Sequence, residues 1–437
     1  MAAGKGQPSG SSVKQLRIVL VGILLYTWVP KFYRFFNILP WGAPVKWDDR
    51  NKFAPVDYST RELLQFQHGR TKLIYGRGED KGLIQGPETA VMNPKDGTMY
   101  LLTNEGNLLS MTDLRHNNSK HIMTGQVNFV RDVGNGRPLS GKFASNGKTL
   151  YMSDAVMGLT RISDIFNPRS KVEIVASSVR DEDGAGGSRV SPLRYVNALC
   201  IGKSNKVYFT DSTEIRPDSY GQNTPDTMYS SKMDLIRAIG TGRLLEYDPS
   251  TDQTRVLRRG LRFSNGIAVN DKETYLVFAE TFGPRIWKYN LDDGTSEILV
   301  DNHELMGYPD GLDCDGSSGK CYAVIPSSVV PIHKLLATLP HFMDIALRYV
   351  LMSVPRQLAP PIKKFGGVLE FDPETNMDEN TEQERFRYLL DAKGRDVSTL
   401  CGSTVFRKQL YLGSLHNDYI GVFDLSTEES SGASTAS

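Results

Sequence analysis

Cysteine and histidine are scarce in this chain, at four and seven among 437 residues. Four cysteines cannot frame a disulfide scaffold, and no Cys-x-x-Cys pair or zinc-type spacing occurs, so a structural zinc site and a dithiol redox motif are excluded. Neither sign of charge is in excess: 51 Lys and Arg stand against 50 Asp and Glu. The bulk electrostatic footprint of a nucleic-acid partner is therefore missing. No Gly-x-Ser-x-Gly elbow appears, which speaks against a serine hydrolase. The uncharged apolar run near the N-terminus, residues 18–30, falls short of the roughly 20 residues of a spanning helix.

What the chain does have is a repeat. Gly97-Thr-Met-Tyr-Leu-Leu-Thr103, Gly147-Lys-Thr-Leu-Tyr-Met-Ser-Asp154, Asn205-Lys-Val-Tyr-Phe-Thr-Asp211, Lys272-Glu-Thr-Tyr-Leu-Val-Phe278, Gly319-Lys-Cys-Tyr-Ala-Val-Ile325 and Arg407-Lys-Gln-Leu-Tyr-Leu-Gly413 share one pattern. Each is a polar turn followed by a Tyr-containing apolar strand, and each is followed by a further strand such as Gly242-Arg-Leu-Leu-Glu-Tyr247. Units of roughly 40–50 residues made of short strands predict blades around an axis. The fold class is all-β, a six-bladed β-propeller over residues 86–425. Its two long insertions, 214–240 and 326–365, end in or contain helical patterns. Leu335, Leu339, Phe342, Ala346 and Val350 fall on helical spacing, which predicts a lid on the propeller face. Its apolar side and the exit at Lys363-Lys364 would suit membrane contact.

Outside the propeller, residues 1–13 are Gly/Ser-rich and read as a disordered tail, as do residues 426–437. Residues 14–41 read as a membrane anchor, with Arg17, Lys31 and Arg34 snorkelling and an aromatic border extending the short apolar run. No small-x-small cleavage site precedes Pro30, which favours an uncleaved signal anchor in the endoplasmic reticulum or plasma membrane and a lumenal or extracellular propeller. Asn117-Asn-Ser119 is then a glycan acceptor. Cys314 and Cys321 flank a hairpin-like Asp-Gly-Ser-Ser-Gly-Lys, and can bridge in an oxidising compartment. Residues 42–85 read as a polar connector with a helical segment at 60–67.

Gly86-Pro-Glu88, Gly136-Arg-Pro-Leu139, Val207-Tyr-Phe-Thr-Asp-Ser212, Leu261-Arg-Phe-Ser-Asn-Gly266, Tyr308-Pro-Asp310 and Leu410-Tyr-Leu-Gly-Ser414, in that order, resemble the strictosidine synthase-like branch of six-bladed propellers. The resemblance covers nearly all of residues 86–425.

Glu88, Asn197, Asn265 and Asp310 each stand where an inner strand begins, and inner strands of different blades converge on the axis. Two carboxylates and two amide oxygens are hard donors suited to Ca²⁺. The related paraoxonases and gluconolactonases hold a catalytic calcium with an acid/Asn/Asn/Asp set of this kind. A second calcium in paraoxonases uses acids directly after the first Glu and Asn; here those neighbours are Thr89 and Ala198, so one ion is expected. The plant synthases use a Glu just before the last inner strand, and residues 398–405 contain no carboxylate. Strictosidine synthesis is therefore not expected. The resemblance implies instead hydrolysis of an aryl ester or lactone, with Asp310 as ligand and base; by position, Arg194, three residues before Asn197, is a candidate holder of an acidic substrate group, and His416, at the mouth of the last blade, a candidate proton carrier. The alternative is a non-catalytic lumenal propeller that binds a ligand or partner and uses calcium as a structural pin.

Overall fold

The computed structural model describes residues 63–65, 71–80, 82–116, 121–182, 188–217, 225–354, 363–375 and 386–426. The tail 1–13, the anchor 14–41, the sequon at Asn117 and residues 427–437 lie outside them.

Short apolar strands separated by Gly, Asn and Asp turns cannot bury both faces alone, and here they fold into meanders that stack on one another. Blade 1 comprises Ala90–Met92, Met99–Leu102, Asn107–His116 and Ile122–Asp132. Blade 2 comprises Pro138–Phe143, Leu150–Asp154, Gly158–Ile162 and Val172–Ala176. Blade 3 comprises Val196–Ile201, Val207–Asp211, Gly242–Asp248 and Gln253–Leu261. Blade 4 comprises Ser264–Val269, Tyr275–Glu280, Arg285–Asn290 and Ser296–Val300. Blade 5 comprises Leu312–Cys314, Cys321–Ile325, Gly366–Phe371 and Phe386–Asp391. Blade 6 begins with Gly402–Phe406, Gln409–Gly413 and Ile420–Asp424. The first strand of each blade lies beside that of the next, and the sixth returns to the first. Six sheets thus close around an axis.

The repeated tyrosine explains the stacking. Tyr100, Tyr151, Tyr208 and Tyr322 all lie on second strands, and each is buried in a cluster shared with the following blade. Tyr100, for example, packs its ring 5.2 Å from that of Phe143 in blade 2.

The stretch 42–85 differs from its expected role as a connector. Leu63–Gln65 is a strand, not a helical turn, and pairs in parallel with Phe386–Asp391. Thr71–Gly76 is the fourth strand of blade 6, antiparallel to Ile420–Asp424, and it also runs parallel to Ile122–Asp132 of blade 1. A three- to six-residue apolar run fits either period, and here the waiting sheet edges decide. A hairpin, Ser178–Glu182 with Ser188–Pro192, stands between blades 2 and 3.

Both insertions leave between the second and third strands of their blades, so they emerge on the face where inner strands begin. Helix α1 (Thr227–Arg237) is capped by Asp226, whose carboxylate accepts the Tyr229 N–H. Helix α2 (Pro331–Thr338) starts with Pro at its first turn, and α3 (His341–Ser353) follows after Leu339 and Pro340. Their apolar stripes merge: Met233 and Ile236 pack with Leu336, Ile345, Tyr349 and Met352. The buried Asp344–Arg348 pair on α3 (2.8 Å) directs the guanidinium onto the Ile236 carbonyl of α1. The expected lid is present. Among the described residues no helix is long and apolar enough to cross a membrane.

Ile74, 1% exposed, sits at the closure among Ile84, Leu101, Val127, Ile420 and Val422. Ile74→Ala is expected to cost about 2–5 kcal/mol of unfolding free energy, read from the urea midpoint. The exposed Ile174 serves as a control, whose truncation should shift the midpoint by less than about 0.5 kcal/mol equivalent.

Candidate functional site

In blades 2, 3 and 4 the register between first and second strands breaks at Pro138/Ser140, Val196/Leu199 and Ser264/Ile267. A bulge there frees one residue from the pleat and re-aims it. The freed positions are Leu139, Asn197 and, with its glycine, Asn265. In blades 1, 5 and 6 Glu88, Asp310 and Cys401 stand just before the inner strands. One residue per blade therefore forms an axial ring: Glu88, Leu139, Asn197, Asn265, Asp310 and Cys401. The four expected ligands are members of it, and sequence reasoning missed Cys401 and Leu139.

Asn265-Gly266 and Asp310-Gly311 are not turn dipeptides. Gly266 N–H donates to the Asp310 carbonyl at 3.0 Å and Gly311 N–H to the Cys401 carbonyl at 2.8 Å. A Cβ on Gly266 would lie 2.1 Å from the Leu312 nitrogen, and one on Gly402 would lie 2.2 Å from the Glu88 carbonyl oxygen. Glycine follows three ring residues because adjacent inner strands touch there. This polar-residue-then-glycine pattern was the signal that could have identified Cys401-Gly402.

The amides are oriented from behind. Asn197 Nδ2 donates to Ser212 Oγ at 3.0 Å, and that hydroxyl donates to the Ser264 carbonyl at 2.6 Å. Asn265 Nδ2 donates to Thr281 Oγ1 at 3.1 Å, whose proton goes to the Pro309 carbonyl at 2.8 Å. Each hydroxyl has spent its proton, so it can only accept from the amide. Both Oδ1 atoms are left over, and with Glu88 Oε2 they are buried without a hydrogen-bond donor. Orphaned buried acceptors cost about 1–3 kcal/mol each, and three in one ring are what a bound cation or an ordered water would satisfy. A cavity of about 20 Å³, lined by Glu88, Asn265, Lys142 and Cys401 among others but not by Asn197, adjoins two of the three residues; about 10–15 Å³ suffices for one water-sized body. The donor set fits a hard cation such as Ca²⁺. Among the described residues no group of three or more His, Cys, Asp and Glu side chains has metal-ligand spacing, so an ion here would depend on the amide oxygens as much as on the carboxylates.

Burial, and then the charge of Asp310, push Glu88 well above the usual carboxylate range, with Arg137 opposing. Burial pushes Asp310 up to about 7, while the Asn265 and Cys401 side chains hold it partly down. Arg137, buried at 3% exposure, donates to the carbonyls of Gly86 (3.2 Å) and Pro138 (3.0 Å). It is a neighbour of Glu88 that the sequence reading passed over. On the far side of the small cavity, Lys142 of blade 2 meets Asp313 of blade 5 at 2.9 Å.

Above the ring lies an aromatic layer. Tyr195, Phe263, Phe282 and Tyr308 pack edge to face or tilted at 4.9–5.6 Å. Tyr308 Oη meets His333 Nδ1 of α2 at 2.8 Å, which fastens the lid to the segment that carries Asp310.

The remaining candidates lie elsewhere. Arg194 is partly buried in the wall of a side cleft and does not line the ring cavity. His416 is exposed, on the loop after Gln409–Gly413, with its N–H on Ser414 Oγ. Cys314 and Cys321 are bridged across the blade 5 hairpin.

The paired carboxyls set a pH dependence. Their folded pKa values exceed the unfolded values, so the metal-free folded state holds protons that the unfolded chain has released between about pH 4 and 7. Their contribution to stability is full below that window and is lost as pH rises through it. In chelator, the melting temperature is expected to fall from about pH 5 to about pH 7.5; Glu88→Gln should remove the share of that fall due to Glu88 and leave that of Asp310, whose rise comes from burial. Added Ca²⁺ should raise the melting temperature more at the higher pH, because ionised carboxylates bind it better. Gly402→Ala, which alters no donor, should weaken Ca²⁺ binding by about 10–100-fold in a calorimetric titration.

Residues 197–294 match the family model described as strictosidine synthase. The chain is 28% identical to strictosidine synthase-like protein 6 of Arabidopsis thaliana over 346 residues, 79% of this chain and 80% of that one. It is 29% identical to an adipocyte plasma membrane-associated protein of Salmo salar over 300 residues, 67% of this chain and 64% of the relative. A solved gluconolactonase of Xanthomonas campestris superposes with a TM-score of 0.45 at 13% identity, covering 78% of this chain and 87% of that one. With the strictosidine synthase model matching at 197–294 and likeness extending over about four fifths of the chain, this propeller is similar to the strictosidine synthase-like proteins.

Proposed function

We propose that the protein is a calcium-dependent hydrolase of aryl esters or lactones, working at the axial ring. The observation that carries the reading is the set of three buried, donor-less oxygens on Glu88, Asn197 and Asn265, with Asp310 beside them. These four side chains would hold one Ca²⁺, which when bound polarises a carbonyl and stabilises the developing oxyanion. Asp310 accepts the proton of the attacking water; its environment already favours proton uptake near neutrality. Thr281 and Ser212 keep the two amides aimed while this happens. Tyr195, Phe263, Phe282 and Tyr308 offer an apolar surface to an aryl or acyl group and keep bulk water away. Residues 398–405 supply no carboxylate, and strictosidine synthesis has no acid–base group there.

We place the propeller on the lumenal or extracellular side of the endoplasmic reticulum or plasma membrane, anchored through residues 14–41. The Cys314–Cys321 bridge supports an oxidising compartment. The lid's outer side, with Leu335, Phe342, Met343 and Val350 exposed, would lie toward the same membrane.

A second reading has its own support. The aromatic layer and the lid cover the ring, and the cavity beside it admits little more than an ion. A non-catalytic propeller that binds a ligand or partner on its lid face, with calcium as a pin, needs nothing more.

Turnover of a panel of aryl esters and lactones by the full chain separates the two; none with Ca²⁺ bound would leave the binding reading standing. In the hydrolase, Asp310→Asn should abolish turnover even at calcium concentrations that restore occupancy, whereas Asn265→Ala should be partly rescued by excess calcium. Equal rescue of both would reduce Asp310 to a ligand. For topology, glycosidase should shift the gel mobility of the wild type but not of Asn117→Gln; an unchanged wild type would argue for a propeller on the other side.

A further inference from the structure

We propose that the side cleft flanking blade 3 is a binding site for a small molecule bearing two negative charges, a phosphate or a dicarboxylate. The cleft encloses about 640 Å³ between the hairpin strand Ser188–Pro192, the C-terminal end of α1 and the outer strand Gln253–Leu261, within the roughly 300–1,000 Å³ of small-molecule sites. Its walls carry Arg189, Arg194, Arg237, Arg243 and Arg259 against two acids, Asp211 and Glu214. The whole chain has a net charge of only +1, so this concentration is local.

Both acids are already engaged. Asp211 accepts the N–H groups of Arg194 and Tyr195 on one oxygen (3.0 and 2.7 Å) and Arg243 on the other (3.1 and 2.5 Å). Glu214 is held by Arg237, which also pairs with the buried Asp234 at 3.0 Å. Arg189 stands opposite Asp181 across the hairpin; among the described residues no carboxylate is paired with the Arg194 side chain, and the buried Nε–H of Arg237 in the same wall has no acceptor. The cleft therefore keeps positive charge that its own acids do not neutralise.

It is also rigidly built. Arg243 donates to Ser191 Oγ at 2.8 Å and the Pro192 carbonyl at 2.7 Å, pinning the hairpin that presents Arg189 onto blade 3. Guanidinium forks held in place match the paired oxygens of phosphate or carboxylate. The cleft shares no lining residue with the axial cavity, so the site stands whether or not the ring is catalytic.

Calorimetric titration of the full chain with inorganic pyrophosphate, and separately with citrate, tests it. One-to-one saturable binding of at least one is expected, weakening between about 50 and 150 mM salt. Saturation by pyrophosphate alone assigns phosphate recognition, and by citrate alone carboxylate recognition. Arg194→Gln and the exposed-site variant Arg189→Gln should each weaken binding by about tenfold, with Arg194→Lys intermediate and Glu88→Gln without effect. Absence of saturable binding by either anion below about 1 mM, or wild-type affinity in both glutamine variants with unchanged circular dichroism, would overturn the proposal.

Discussion

Glu88 and Asp310 share one buried ring at the propeller axis, and two carboxylates that close in a dry site cannot both ionise unless a proton or a cation stands with them. Much of the surrounding construction follows from holding this arrangement together. Glycines after Asn265, Asp310 and Cys401 let neighbouring inner strands touch, which brings residues from separate blades to one point. Hydroxyls just past the ends of second strands, on Ser212 and Thr281, turn the two amide oxygens inward. Arg137, beside Glu88, lends a partial counter-charge without reaching into the amide donor set. Over all of this lie four aromatic rings and the fused helices of two insertions. The ring is a place where stability has been given up locally and recovered through the packing between blades.

Much of this was legible in the chain, for identifiable reasons. A tyrosine recurring in the same place of each unit is visible because every second strand meets the same environment, the core between its blade and the next. Asn265 and Asp310 could be singled out because a polar residue at the start of an apolar strand has few uses other than facing the axis. Cys401 and Leu139 occupy equivalent places yet went unseen, since a search for oxygen donors passes over a thiol and an alkyl group. Thr71–Gly76 carried no signal of its own. Its pairing partners lie in the first and last blades, and nothing local distinguishes a strand awaiting a distant edge from an extended linker. Arg194 stands three residues before Asn197 in the chain, yet it lines the side cleft, whereas Asn197 is buried against Ser212.

The disulfide at Cys314 and Cys321 and the pair Lys142–Asp313 show two ways of restraining blade 5. One ties a hairpin at its own turn; the other reaches across the axis to blade 2. Only the second couples distant parts of the chain, so it reports on the ring as a whole.

The strand Thr71–Gly76 has a consequence for how the molecule is made. Its antiparallel partner, Ile420–Asp424, is synthesised after every other described strand of the propeller. Until then the opening strand can pair only with blade 1, and its other edge stays open. Loop closure over such a span costs entropy that local hairpins do not incur. Individual blades can form during synthesis, while circular closure waits for the strand Ile420–Asp424. An open strand edge in that interval is a template for pairing with another chain, so the nascent protein has reason to be attended by chaperones until its two ends meet.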